Sequence, residues 1–306
     1  MNNERVINFM GQGKLAAALS ILLIVASVVS LAVQGLNLAQ DFTGGTSIEL
    51  VYDKPADLGD IRDLLSDAGY EGAIIQQFGA ETDVKVSLRA ANTDGLAEKL
   101  AEVLRAGGKY QVDIASVSFV GPQVGDDLRD QGGIGMILAF ALVMLYVAMR
   151  FQFKFSVGAV AALTHDVIIV VGIFSFFQWD FDLTVLAAIL AVIGYSINDT
   201  IVVFDRIREN FRIMRKSSVN EVINTSITQT LSRTLVTSLT TALTLVALYY
   251  FGGPLIHGFA TALLLGIIVG TYSSVYIAST IAVALKVSKE DLMPPEKEGS
   301  ELDAMP

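Results

Sequence analysis

Leu183-Thr-Val-Leu-Ala-Ala-Ile-Leu-Ala-Val-Ile-Gly-Tyr-Ser-Ile-Asn-Asp-Thr-Ile-Val-Val-Phe204 is an apolar run with Asn198, Asp199 and Thr200 set inside it. Charges close it at Asp205-Arg206-Ile207-Arg208-Glu209. As a helix, about 22 residues are long enough to cross the ~30 Å hydrocarbon layer of a bilayer. A carboxylate inside such a span costs at least ~2.5–3.5 kcal/mol unless it faces protein or water and finds a partner. Asp199 is therefore a candidate functional residue by default.

The rest of the chain fits that setting. Its 306 residues are 53% apolar with a mean hydropathy of +0.56, well beyond the ~45–50% apolar content of soluble domains. Several long apolar runs predict a polytopic α-helical membrane protein. There is no cysteine, so disulfides, zinc–thiolate sites, iron–sulfur clusters and cysteine nucleophiles are excluded. Two histidines leave little room for a histidine-rich metal site, and the reading calls for no metal and no cofactor. The net charge of −10 is unevenly placed. Residues 35–133 hold 17 acids against 8 bases, the tail 289–306 holds 6 against 2, and 205–233 reverses the sign with 6 bases against 3 acids. Nothing resembles the basic footprint of a nucleic-acid binder.

The first apolar run is Leu15–Val33, after Arg5 and Lys14. A secretory signal peptide is the competing reading, with Asn37-Leu38-Ala39 as a tolerable cleavage site, but the run exceeds the 7–15 residues of a signal core. Residues 1–34 are read as a cytoplasmic N-terminus with a retained helix. Residues 35–133 form a hydrophilic domain. Thr46–Tyr52 is strand-like, and Leu58, Ile61, Leu64 and Leu65 space as a helix face that Gly69 stops. Ala73–Phe78 and Val84–Leu88 are two strands around Gly79, Asn92–Leu104 is a second helix closed by Gly107-Gly108, and Tyr110–Val120 is a fourth strand. The order βαββαβ predicts an α+β, ferredoxin-like sandwich, a fold that hosts many functions. Five further apolar runs fill residues 134–288: Ile134–Met149, Phe155–Phe177, Leu183–Phe204, about Leu235–Phe251, and Phe259–Leu285. The last carries Gly266-Ile-Ile-Val-Gly270, a spacing suited to close helix packing. Residues 289–306 are an acidic tail.

The short connections alternate in charge. Arg150–Lys154 and Asp205–Arg233 are basic, Gln178–Asp182 is acidic, and Gly252–His257 lacks Lys or Arg. Basic loops stay cytoplasmic, so six spans place both termini inside and the 35–133 domain outside, in the periplasm. Counting from the span ends puts Asp199 and Arg233 at similar depth, natural partners if their helices pack. Alternatively, Arg233 snorkels to lipid headgroups as an anchor. Near the middle of Phe155–Phe177 stand Thr164-His165-Asp166. They read either as a packed polar seam or as a step in a proton path. Neighbours on a helix point about 100° apart, so at most one of His165 and Asp166 faces a given partner squarely.

Asp41-Phe-Thr-Gly-Gly-Thr46, Val120-Gly-Pro-Gln-Val-Gly125, Ala162-Leu-Thr-His-Asp166, Gly194–Asn210 and Ser232-Arg-Thr-Leu-Val-Thr-Ser-Leu-Thr240, taken in order, closely resemble the SecF family of bacterial protein-export membrane proteins. The resemblance implies a resistance-nodulation-division type protein with six helices and a ferredoxin-like periplasmic domain. It implies SecD as the other half, association with the SecYEG channel, and use of the proton gradient for late, ATP-independent polypeptide translocation across the inner membrane. The family's proton-linked carboxylate and arginine fall on Asp199 and Arg233. Asp41, Gly44 and Gly45 belong to the family motif after the first helix, where glycines permit unusual backbone angles and a structural junction is as fitting as a functional contact. Three other readings stand beside this one. They are half of a proton-driven small-molecule or lipid exporter, a passive scaffold, and an intramembrane aspartyl protease using Asp166 and Asp199. The last lacks the Gly-x-Gly-Asp arrangement of such proteases.

Overall fold

The structure, a computed structural model, describes residues 6–77, 79–88, 95–107 and 109–287. The acidic tail from Lys289, Phe78 of the second expected strand, Asn92–Asp94 of the second expected helix and Gly108 lie outside the described residues. In chain order the elements are α1 (Gly13–Val33), β1 (Asn37–Leu38), α2 (Gln40–Thr43), β2 (Gly45–Tyr52), α3 (Leu58–Asp67), β3 (Ile74–Gln77), β4 (Asp83–Leu88) and α4 (Leu96–Ala106). They continue with β5 (Val112–Val120), α5 (Pro122–Arg150), α6 (Phe153–Phe177), β6 (Asp180–Phe181), α7 (Leu183–Ile213), α8 (Val219–Phe251) and α9 (Pro254–Ala284). Six of these, α1 and α5–α9, are long and apolar enough to cross a membrane.

Between α1 and α5, β2–β5 form one antiparallel sheet in the order β3-β4-β2-β5. Alternation decides its inner face: Ile48, Leu50 and Tyr52 on β2, Val84, Val86 and Leu88 on β4, and Ile75 on β3 are buried against Ile61 and Leu65 of α3 and Leu100 and Leu104 of α4. The one-sided burial is what an antiparallel sheet with a single covered face requires. Asp57 caps α3 through Gly59 N, 2.8 Å away, and Gly69 takes φ +86° just past its end.

The helices run longer than their apolar runs. α5 begins at Pro122, twelve residues before Ile134, so 122–133 is helix rather than part of the sheet. α7 continues to Ile213 and α8 begins at Val219, where Ser218 and Glu221 form a capping box. The basic 205–233 connection is thus mostly helix, with Met214–Ser218 as the turn. Hydropathy measures the length that lipid tolerates, not the length that hydrogen bonding sustains. α6 and α7 form the centre of the bundle and are the most buried of the six, while α5 buries only Gly125 and Val147. Arg150 bonds Asp205 at 3.0 Å at the bundle end far from the sheet.

Small residues bring the central helices together. Gly266 and Gly270 of α9 lie on α7 at Val192 and Ser196: a Cβ at Gly266 overlaps the Val192 side chain, and one at Gly270 sits 3.1 Å from Ser196 Cβ. Gly172 of α6 meets Ser27 of α1 in the same way. The small-residue spacing read in the sequence is therefore a packing surface.

The sheet joins the bundle through a compact junction. Gly44, at φ +67°, leaves 2.8 Å between a built Cβ and Pro122 Cα, and a Cβ on Gly125 lies 2.7 Å from Gly44 N. Any side chain there separates two touching backbones. Gly45, at φ +118°, opens β2. Asp41 Oδ2 accepts the Leu183 N–H at 3.0 Å, and Asp182 Oδ1 accepts that of Val185 at 2.8 Å. Two carboxylates thus satisfy the free amides at the start of α7 and complement its dipole. Beside them β1 pairs in parallel with β6. Asp180 binds Asn37 Nδ2 at 2.9 Å and Gln76 Nε2 at 2.7 Å, with Lys85 Nζ at 3.9 Å.

Two measurements check this packing. Gly266→Leu lowers the thermal midpoint in detergent by an amount equivalent to about 1–3 kcal/mol of overpacking, whereas Gly133→Leu, with open space around it, leaves it unchanged. Asp41→Ala speeds hydrogen exchange at the first amides of α7 by about tenfold, within the ~0.5–2 kcal/mol range of a lost cap, and Asp41→Asn restores most of the protection.

Candidate functional site

α7 and α8 are antiparallel neighbours joined by Met214–Ser218, and their lengths set the height of the two residues singled out above. Asp199 precedes the end of α7 by fourteen residues and Arg233 follows the start of α8 by fourteen. At the helical rise both stand ~21 Å from the turn. Asp199 is 4% exposed and its Oδ2 has no hydrogen-bond partner. Arg233 is exposed and, among the described residues, makes no ion pair with the Asp199 carboxyl. Thr200 is buried with its Oγ1 likewise unpartnered, and Asn198 points to the bundle surface. The carboxylate and the guanidinium are thus level and adjacent in the fold, but not joined.

The second polar site is joined throughout. His165 and Asp166 are 2% and 0% exposed. They bond each other, His165 Nδ1 to Asp166 Oδ1 at 2.9 Å, because the two short side chains lean together although their Cβ vectors diverge. Asp166 Oδ2 accepts Ser196 Oγ–H from α7 at 2.5 Å and Ser273 Oγ–H from α9 at 2.8 Å. His165 Nε2 meets Ser20 Oγ of α1 at 3.1 Å. Ser20 Oγ lies 3.1 Å from Tyr272 Oη, which donates to Ala16 O at 2.8 Å. The imidazole also stacks on the Tyr272 ring at 6.1 Å. Asp166 and His165 together thus tie α6 to α7, α9 and α1 through side-chain hydrogen bonds.

Asp41, Gly44 and Gly45 stand apart from both sites, in the junction at the outer end of α7. Sequence reasoning had not named Ser20, Ser196, Tyr272, Ser273 or Asp180. A signal existed for the first of these. The buried residues of α1 are Gly13, Ala16, Ser20, Ser27 and Ser30, a stripe of small residues at helical spacing within a run otherwise rich in Leu, Ile and Val. Among the described residues no group of three or more metal-ligating side chains occurs.

The model of the C-terminal part of the SecD/SecF protein-export membrane proteins matches residues 99–288, and that of the SecD/SecF GG motif matches residues 29–56. The protein translocase subunit SecF of Pseudomonas aeruginosa is 51% identical over 291 residues, covering 95% of each chain. That of Vibrio alginolyticus is 50% identical over 308 residues, covering 99% of this chain and 98% of the other. The crystal structure of SecDF, a translocon-associated membrane protein from Thermus thermophilus, superposes with a TM-score of 0.85 at 36% identity. It covers 94% of this chain, which spans only 39% of that longer one. A second structure, SecDF in a super-membrane-facing form, gives a TM-score of 0.69 at 37% identity. With a family model matched over more than half its length and relatives half identical from end to end, the chain belongs to the SecF family of SecD/SecF protein-export membrane proteins and is a multi-pass membrane protein.

Proposed function

We propose that this chain is the SecF-type half of a SecD/SecF pair. In this reading it assists late, ATP-independent passage of polypeptides through the SecYEG channel of the bacterial inner membrane, driven by the proton gradient. The observation that carries it is the buried Asp199 carboxyl, with one oxygen unpartnered, level with an exposed Arg233 in a chain of this family. Transport, rather than catalysis of a covalent reaction, is the role that the names of its relatives carry.

Asp199 and Arg233 act as one switch. Ionised, Asp199 draws the guanidinium in; protonated, it has no charge to hold it, and α7 and α8 repack. The outer end of α7 is tied to Asp41 and, through β6, to Asp180, so repacking passes into the sheet domain. The different fits to two SecDF structures, TM-scores 0.85 and 0.69, support a fold that takes up more than one arrangement.

The sheet order β3-β4-β2-β5 with two crossing helices supports a ferredoxin-like reading of the domain. The division into 1–34, 35–133, 134–288 and 289–306 is kept, with 122–133 as a helical stalk joining the second and third parts. The end of the bundle carrying Arg150, Arg206, Arg208, Arg212 and Arg215 supports a cytoplasmic placement, which puts the sheet domain in the periplasm and both termini inside. The thinly buried α5 supports a large interface with SecD. The crevice between sheet and bundle, lined by Gln40, Thr46, Gln76, Lys85 and Asp180, measures about 210 Å³, below the ~300–1,000 Å³ of ligand pockets, while an apolar groove between α1, α5 and α6 reaches about 350 Å³, so pocket size does not separate the small-molecule exporter from this reading.

In inverted inner-membrane vesicles, Asp199→Asn abolishes the stimulation of export by the proton gradient while the complex still assembles. Export at the normal, gradient-stimulated rate leaves only the scaffold reading. Arg233→Ala matches Asp199→Asn, and Arg233→Lys, which keeps the charge but not the planar fork, retains part of the activity.

A further inference from the structure

The chain Ala16 O, Tyr272 Oη, Ser20 Oγ, His165, Asp166, Ser196 Oγ crosses from the rim of the α1–α9 contact to the centre of the bundle. Each link is 3.1 Å or shorter. Tyr272, at the rim, is half-buried, while His165 and Asp166 are closed off. Ser196 stands three residues before Asp199 on α7, one turn away.

These atoms are satisfied in two protonation states without moving. With a neutral imidazole, Nδ1–H donates to Asp166 and Nε2 accepts from Ser20 Oγ–H. With an imidazolium, Nε2–H donates to Ser20 Oγ, Ser20 donates to Tyr272 Oη, and Tyr272 donates to Ala16 O. In the neutral state the Tyr272 hydroxyl turns its hydrogen from Ala16 O to Ser20 Oγ; a proton taken from water at the rim by Tyr272 Oη then sends Tyr272's own proton to Ser20 Oγ and Ser20's to His165 Nε2, each hop breaking one O–H bond as the next O–H or N–H bond forms. The charge changes with it: the pair carries −1 with a neutral ring and zero with a charged one. A seam serving only to pack helices has no need of this reversibility, and a single hydroxyl partner to Asp166 would suffice for it.

We infer that His165 and Asp166, linked through Ser20 and Tyr272 to the α1–α9 rim, form a second proton-holding site, a branch of the relay that communicates with Asp199 through Ser196. The inference rests on reading Asp199 as proton-linked. Within two turns of the network along the helices that bond to it, the other ionisable groups are Lys14 on α1, Tyr195 and Asp199 on α7, and Tyr276 on α9. From α5, which also packs against α6, the near ionisable groups are Arg129, which lines a groove with Val167 and Val171 and pairs with Asp126 and Asp130, and Tyr146; none of them bonds the network.

The test uses the assembled complex in membrane vesicles, at equal content of each variant. Tyr272→Phe keeps the ring and its stack on His165 but removes the hydroxyl. It slows gradient-driven export about tenfold or more, as expected when a positioned proton donor is lost, and Ser20→Ala does the same. His165→Gln likewise slows gradient-driven export about tenfold or more. Independently of export, infrared difference spectra of the purified complex between high and low pH contain imidazole and carboxylate bands. The His165 imidazole contribution vanishes in His165→Gln, shifts in Tyr272→Phe and persists in Asp199→Asn, whereas the Asp199 carboxylate contribution is lost only in Asp199→Asn. Wild-type export rates in Tyr272→Phe and Ser20→Ala, beside an inactive Asp199→Asn, overturn the branch and leave the main switch standing. An active Asp199→Asn overturns the main switch instead. Wild-type spectra unchanged by either His165→Gln or Tyr272→Phe overturn the second site in every case.

Discussion

Two carboxylates lie inside one apolar bundle, and the difference in how they are met organises everything around them. Asp166 receives the imidazole of its neighbour on α6 and two serine hydroxyls from α7 and α9. Asp199 has an oxygen with none. Leaving a buried polar atom unmade costs its full desolvation penalty, about 1–3 kcal/mol and more for a charge, so the second arrangement persists only where it is used. The first depends on close approach. Ser196 reaches Asp166 because Gly270 lets α9 sit on α7 at that level, and Ser273 follows on the same helix one turn on. A bulkier residue at Gly270 would part the donors from the acid before it touched any charged group.

α7 is the member through which these contacts communicate. Its start is held from outside by Asp41 and from within by Asp182. Its middle carries Ser196, Asp199 and Thr200, all buried. Its far end carries Asp205, which pairs with Arg150 across the α5–α6 turn and with Arg208 at 3.5 Å on its own helix. A rigid helix fixed at its outer end to a sheet domain cannot change its packing at the middle without loading that attachment. The two glycines of the junction matter for the same reason: Gly44 and Gly125 bring the entry and exit strands of the domain into backbone contact, which leaves little slack to absorb a shift.

Much of this could be read from residue order. Six spans, the βαββαβ order and the level of Asp199 with Arg233 follow from period, punctuation and counting. What could not be read has physical causes. β1 and β6 are two residues each and carry no period. The helical extensions of α5, α7 and α8 are polar, so a hydropathy window stops before the hydrogen bonding does. Rotation about a helix axis is fixed by neighbours, which is why Arg233 emerged exposed rather than bonded to Asp199. The serines that bond His165 and Asp166 are small, common residues whose meaning lies only in what faces them. The adjacency of His165 and Asp166 argued that they diverge, yet side-chain torsions brought them to 2.9 Å.

The exposed residues carry the last step. Arg233 stands ~21 Å along α8, two residues before the apolar run that begins near Leu235, and Asn198 lies exposed beside Asp199 at that same level. Among the described residues neither is covered, and polar groups at the edge of an apolar layer cost less where a polar surface meets them than where lipid does. Something polar therefore faces the α7–α8 surface, whether protein or a water-filled passage between proteins. The SecDF relative of which this chain matches 39% is long enough to supply such a cover. The unpartnered Asp199 oxygen and the exposed Asn198 and Arg233 share this face, which is where the proposed SecD half would have to meet the chain to supply a donor.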